Sequence, residues 1–186
     1  SLLEYDLAVA LKALLFEQTK TKLAISSGHQ EPDIINGQGP LATMHNQLNE
    51  RYSVVEQKLG GSGLVAEDVD VLWVVGPQKS FSLRAQYQLD QFLMRGGALG
   101  LFLTHTRANM RTLKPEDIVH GLDSLLGHYG VLSRRDLIAD RKANGVMRFP
   151  VKQGNSQRMV SLNYPLFPKV EIQDESHLVM RGIDYL

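Results

Sequence analysis

The sequence predicts an α/β domain with a mostly parallel sheet covered by helices on both faces. Three observations predict it. Short apolar runs of strand length recur at 22–27 (KLAISS), 72–75 (LWVV) and 98–103 (ALGLFL). Amphipathic helical patterns fall between them, and Gly or Gly-Pro marks the junctions. Strands that alternate with helices imply βαβ crossovers, which bring strands together in parallel and bury both sheet faces.

Each element has its own warrant. Residues 4–17 place Leu7, Leu11, Leu14 and Leu15 at helical spacing. KLAISS reads as a first strand ending at Gly28. HQEPDIINGQGP (29–40) holds two Pro and two Gly and reads as a loop. A helix is expected over 41–51, a second strand over 52–59, a turn at GGSG (60–63) and a third strand within 67–76. Residues 83–95 carry Leu83, Tyr87, Leu89, Phe92 and Leu93, an amphipathic helix closed by Gly96-Gly97. Ser82 is its natural N-cap, with Ser80 the alternative. A fourth strand follows at 98–103, then a polar irregular stretch to 115, a helix over 117–130 closed by Gly130, and a fifth strand over 131–140. Beyond 140 the pattern changes to Gly, Asn and Pro clusters, with a strand allowed at 157–162. The expected organisation is an α/β core over 1–140 and an irregular, β-containing extension over 141–186 that packs on the same domain.

Composition narrows the function. The 186 residues are 43% hydrophobic and 22% charged, ordinary for a globular protein with a core. Lys+Arg and Asp+Glu are 20 each, so no net basic charge favours nucleic acid or a polybasic membrane contact. No cysteine is present, which excludes disulfides, thiolate metal sites and a cysteine nucleophile, and is compatible with either side of a membrane. No apolar run reaches the ~20 residues of a membrane helix. The chain starts at Ser1 and ends at Leu186 without flanking signals, and the expectation is a soluble piece of a longer protein.

The junction LWVVGPQKSFS (72–82) tests for phosphate binding. A P-loop needs G-x-x-x-x-G-K-[ST]; here Gly76 is followed by PQKSFS, and Pro77 removes an N–H donor. GGSGLVAED has Ala66 where a G-x-G-x-x-G needs glycine, and it precedes a strand. Strand termination and helix capping account for the junction. SSGHQEP (26–32) sits at the carboxyl end of the first strand, where open α/β sheets hold ligands. It lacks the G-x-S-x-G nucleophile elbow. The candidate ligand or partner contacts are therefore the strand-end loops: Ser26, Gly28, His29 and Glu31; Gly76, Pro77 and Lys79; Thr104 and His105. No catalytic residue is assigned. None of the six histidines stands in a recognised metal spacing, and His120 and His128 lie two helical turns apart, so no metal and no cofactor is expected. Arg134-Arg135 with Arg141-Lys142 reads as a solvated edge.

An ordered set of segments resembles a known family. SSGHQEPD (26–33), DVDVLWVVGPQKSFS (68–82), LDQFLMRGGALGLFL (89–103), LLGHYGV (125–131), YPLFP (164–168) and HLVMRGIDYL (177–186) look like the extracytoplasmic domain of the gliding-motility-type auxiliary component of ABC transporters. The resemblance implies a Rossmann-like fold similar to class I glutamine amidotransferase-like domains, without their chemistry, which needs a cysteine. It implies a non-enzymatic auxiliary or substrate-binding domain on the extracytoplasmic, periplasmic face of the membrane. Flanking transmembrane helices would anchor it, and an ABC permease and ATPase would be its partners. The sequence departs from the family's pattern at Gln30, where glycine is expected. Alternatives are a stand-alone small-molecule or glycan binding domain, and a serine-type hydrolase using Ser26 or Ser27 with His29 or His105.

Overall fold

The computed structural model describes Leu7 and residues 20–36, 41–109, 114–154 and 156–169. The helix expected over 4–17, apart from Leu7, and the segment 177–186 lie outside the described residues. The chain divides into two compact units, Ser1–Ser133 and Arg134–Leu186.

In the first unit, β1 (Lys22–Ser27), β2 (Ser53–Lys58), β3 (Val71–Val75) and β4 (Ala98–Phe102) form a four-stranded parallel sheet in the order β2-β1-β3-β4. Helix α1 (Ala42–Arg51) connects β1 to β2, and α2 (Leu83–Met94) connects β3 to β4. The two crossovers travel in opposite directions along the sheet, so right-handed connections place α1 and α2 on opposite faces. The expected α/β architecture is present through β4.

The core lies under α2. Ala24, Leu72 and Val74 from the strands meet Ala85, Leu89 and Phe92 of the helix, with Leu59, Val65 and Val69 of the β2–β3 connection alongside. The helix buries positions i, i+4 and i+7, the spacing of one face. The buried set differs from the expected one. Leu83 and Tyr87 are exposed, and Gln88 is buried in their stead. Tyr87 lies under the Arg84 guanidinium, 5.4 Å from its ring centre, while Gln88 Oε1 accepts from Gly60 N–H at 2.7 Å and its amide donates to the carbonyls of Gly61 and Gly63. A buried amide with partners on both atoms costs little and shapes the GGSG turn. Ser82 caps α2 as expected, its Oγ accepting from Ala85 N–H at 3.2 Å. At the other end Gly97 N–H bonds to Phe92 O and Gly96 N–H to Leu93 O, the paired pattern of a glycine stop, with Gly96 at φ +94°.

Past β4 the structure corrects several expectations. The stretch 104–115 is not irregular: β5 (Thr106–Asn109) and β6 (Lys114–Asp117) pair antiparallel, with Arg107 opposite Glu116. The helix expected over 117–130 shortens to α3 (Asp123–His128). Residues 118–122 are not helical: Ile118 N–H bonds to His105 O, His120 O accepts from Phe81 N–H, and Gly121 takes φ +74°. The fifth strand expected over 131–140 does not form; residues 131–139 are exposed, and Asp140 makes a backbone bond, its N–H to Pro165 O at 2.9 Å.

The second unit holds a long antiparallel hairpin, β7 (Asn144–Gln153) and β8 (Ser156–Pro168), joined at Gly154 and its neighbour. The strand allowed at 157–162 is part of β8, and β7 was not foreseen. Tyr164 sits between Phe149 and Phe167 at ring separations of 6.5 and 5.1 Å. Among the described residues, no helix is long and apolar enough to cross a membrane.

Gly97 gives a sharp test of the core. A Cβ there would stand 2.4–2.6 Å from the Phe92 ring, which is 1% exposed and has no room to retreat. Gly97→Ala is expected to lower stability by about 1–3 kcal/mol in urea denaturation. Gly61→Ala, in open space, is expected to leave it unchanged.

Candidate functional site

β1 and β3 are neighbours whose outgoing connections diverge, so a crevice opens beyond their carboxyl ends. The loops after β1 and β3 close its floor. The His29 carbonyl accepts from the N–H groups of both Gln78 and Lys79, at 2.9 and 3.0 Å. The His29 ring stacks on Phe81 at 3.8 Å and is buried. Gly76, at φ +54°, donates its N–H to Phe102 O at 2.8 Å and lies beside Pro32. Pro77 is buried, and Lys79 is exposed.

Glu31 turns inward. Its side chain is 3% exposed. One oxygen accepts from Ser26 Oγ at 3.0 Å and the other from His29 N–H at 2.6 Å. His29 Nδ1 stands 3.6 Å from Glu31 Oε1, beyond a hydrogen bond. The carboxylate thus ties the strand end to its own loop. That loop turns at Gln30, which takes φ +59°. This is the position where the resemblance leads one to expect glycine, and a left-handed backbone is a reason glycine would suit it.

A cleft of about 230 Å³ opens on the other side of this loop, with Ser26, Glu31, Asp33 and Glu56 on its polar walls and Ile34 on an apolar one. Asp33 is held below the usual carboxylate range, first by the Asn36 side-chain amide and then by the Asn36 backbone N–H. Asp33 and Glu56 joined this site through the fold; in sequence they carry no motif. From the opposite side, Arg107 reaches Gln78 Oε1 at 3.3 Å and holds Glu116 through Nε and a terminal nitrogen at 3.0 and 2.8 Å.

The fold therefore gathers Ser26, Gly28, His29 and Glu31 with Gly76, Pro77 and Lys79. Thr104 stays at the exposed rim, its hydroxyl donating to Thr106 O at 2.9 Å. His105 turns to different partners. Its Nε2 lies 2.7 Å from Ser133 Oγ, and its ring lies 4.6 Å from that of His120. The ligand atoms of His105, His120 and Asp123 all fall within 4.8 Å of one another. Sequence spacing assigned none of His120, Asp123 and Ser133 to a site; they are 15, 18 and 28 positions from His105, and only the hairpin β5–β6 folds them back. No described hydrogen bond joins Ser26 or Ser27 to a histidine side chain.

The ligand edge of this parallel sheet carries neither a P-loop nor a G-x-S-x-G motif. The model of the ABC-type uncharacterized transport system family matches residues 20–186, and the chain belongs to that family. Membership makes it an auxiliary component of an ABC-type transport system. No curated protein matches. A solved structure, the mmIFT52 N-terminal domain, is similar at 14% identity and a TM-score of 0.49, over 82% of this chain and 72% of that one.

Removal of the Glu31 carboxylate leaves the buried Ser26 hydroxyl and the His29 N–H without their acceptor. Glu31→Ala is expected to cost about 2–6 kcal/mol of stability in denaturant titration, at ~1–3 kcal/mol for each stranded group. Glu31→Gln, which keeps an acceptor oxygen, is expected to cost less than half as much.

Proposed function

We propose that the chain is a non-enzymatic, extracytoplasmic auxiliary domain of an ABC transporter, anchored by membrane helices that flank it. It docks on the permease and so joins the complex that holds the ATPase; a gliding-type system is one setting for such a complex. The convergence of the loops after β1, β3 and β4 carries this reading: His29 O links the first two, and Arg107 reaches from beyond β4 to the second. The contact surface is Ser26 to Glu31, Gly76 to Lys79 and Thr104 to Arg107. A segment that meets this edge meets Asp33 and Glu56 on one side and Lys79 and Arg107 on the other. Charges placed in this way set register more than raw affinity.

Purification of the tagged intact protein from solubilised membranes tests the reading. A permease and an ATPase are expected in near-equal amounts. Lys79→Glu with Thr104→Arg, both at exposed positions, is expected to reduce their recovery at least tenfold. Recovery of the protein alone would overturn the subunit assignment. Undiminished recovery with the double variant would overturn the placement of the contact.

The Ser133–His105 pair supports a second reading, a serine hydrolase, because a hydroxyl at 2.7 Å from an imidazole nitrogen is within reach of a general base. A fluorophosphonate probe separates the two. The expected outcome is an unlabelled protein; stoichiometric labelling lost in Ser133→Ala would make the domain an enzyme.

A further inference from the structure

We propose that His105, His120 and Asp123 form a binding site for one divalent cation of the zinc type. The inference is independent of the transport reading. Three observations carry it. First, the three ligand atoms lie within 4.8 Å of one another, although their residues come from the start of the β5–β6 hairpin, the segment before α3 and the first residue of α3. Tetrahedral zinc with bonds of ~2.0–2.1 Å places its ligands about 3.4 Å apart, so side-chain movements on the order of 1 Å complete the site. Second, His105 is prepared as a ligand. Its Nε2 is engaged by Ser133 Oγ, and its Nδ1 is shielded from water with no hydrogen-bond partner. A ligating histidine has this form: one nitrogen held by an outer partner, the other presented to the metal. Third, the surroundings suit a cation. His120 is 1% exposed, whereas Asp123 is exposed and supplies both the negative charge and the route from solvent.

The donor set selects the metal. Two imidazoles and a carboxylate, with no thiolate, favour zinc or a neighbouring first-row ion over calcium or magnesium, which take oxygen ligands. Three protein ligands leave a fourth position for water. His120 Nδ1 accepts from Leu122 N–H at 3.1 Å, so coordination exchanges that contact, or turns the ring, for a metal–nitrogen bond. The bound ion would fasten α3, only six residues long, to the turn that follows β4.

Calorimetric titration of the chelator-treated protein, without a histidine tag, with zinc chloride tests the site. One equivalent is expected to bind at micromolar or lower Kd, and saturation near 100 Kd is expected to raise the melting midpoint by roughly 5–10 °C. Cobalt(II) in place of zinc is expected to give the intense visible absorption of a four-coordinate ion. Asp123→Asn, at an exposed position, and His105→Gln are each expected to weaken binding at least tenfold, while His128→Gln leaves it unchanged. Circular dichroism checks that each variant is folded. Absence of binding to the native protein would overturn the proposal. So would an affinity indifferent to Asp123→Asn and His105→Gln, which would assign the ion to surface histidines.

Discussion

β1 gives its hydrogen bonds to β2 on one side and to β3 on the other, and the chain leaves those pairings in opposite directions. Much of the first unit follows. Opposed crossovers send α1 and α2 to different faces, and they carry the two connections apart beyond the carboxyl ends of β1 and β3. The crevice beyond those ends is a consequence of strand order. It exists before any side chain is chosen to fill it. What the sequence adds is the means to hold the crevice in one shape: a carbonyl shared by two N–H groups, and an inward carboxylate that answers a hydroxyl and an amide.

Polar groups buried in this unit serve its loops. Gln88 reaches out of α2 to the glycine turn between β2 and β3, and Glu31 reaches back to the end of β1. Each replaces an apolar side chain that the core would accept more cheaply. Each also supplies direction, which apolar burial lacks, to a backbone segment that has no strand partner of its own. The loops at the site are therefore positioned by the interior, and the exposed residues among them, Lys79 and Thr104, are free to meet another surface.

The sheet was legible because its signals are local. Short apolar runs, two of them ended by Gly28 and Gly76-Pro77 and a third opened after the helix stop Gly96-Gly97, leave little choice but buried parallel strands, and Ser82 announced α2 by cap chemistry. The helix face was less legible. Leu83 and Tyr87 suggested the buried stripe, but Gln88 took a place on it because its amide had turn carbonyls to satisfy. The β5–β6 hairpin was missed because TRAN and KPED carry no apolar alternation and include Pro115; what pairs them is a charge match across the strands, Arg107 with Glu116. VLSRRDLIAD reads like a strand and is none, since a strand needs a neighbour and local pattern does not supply one. The histidine cluster was invisible for a similar reason: its members meet only after that hairpin closes. The strand-end loops could be located from topology alone, but Asp33 and Glu56 could not be added until register put Glu56 beside Ile25.

The central position of β1 has a kinetic side. It is the earliest described strand in the chain, and one of its two partners, β3, begins at Val71, 44 residues after β1 ends at Ser27. During synthesis the edge of β1 that pairs through Leu23, Ala24 and Ile25 has no partner until β3 leaves the ribosome. Parallel pairing of this kind closes large loops before it gains contacts, so it is slow. An unpaired apolar strand that must wait is the species most prone to associate with its like. The same arrangement that creates the crevice in the folded protein thus sets the interval in which the nascent chain is most exposed to aggregation.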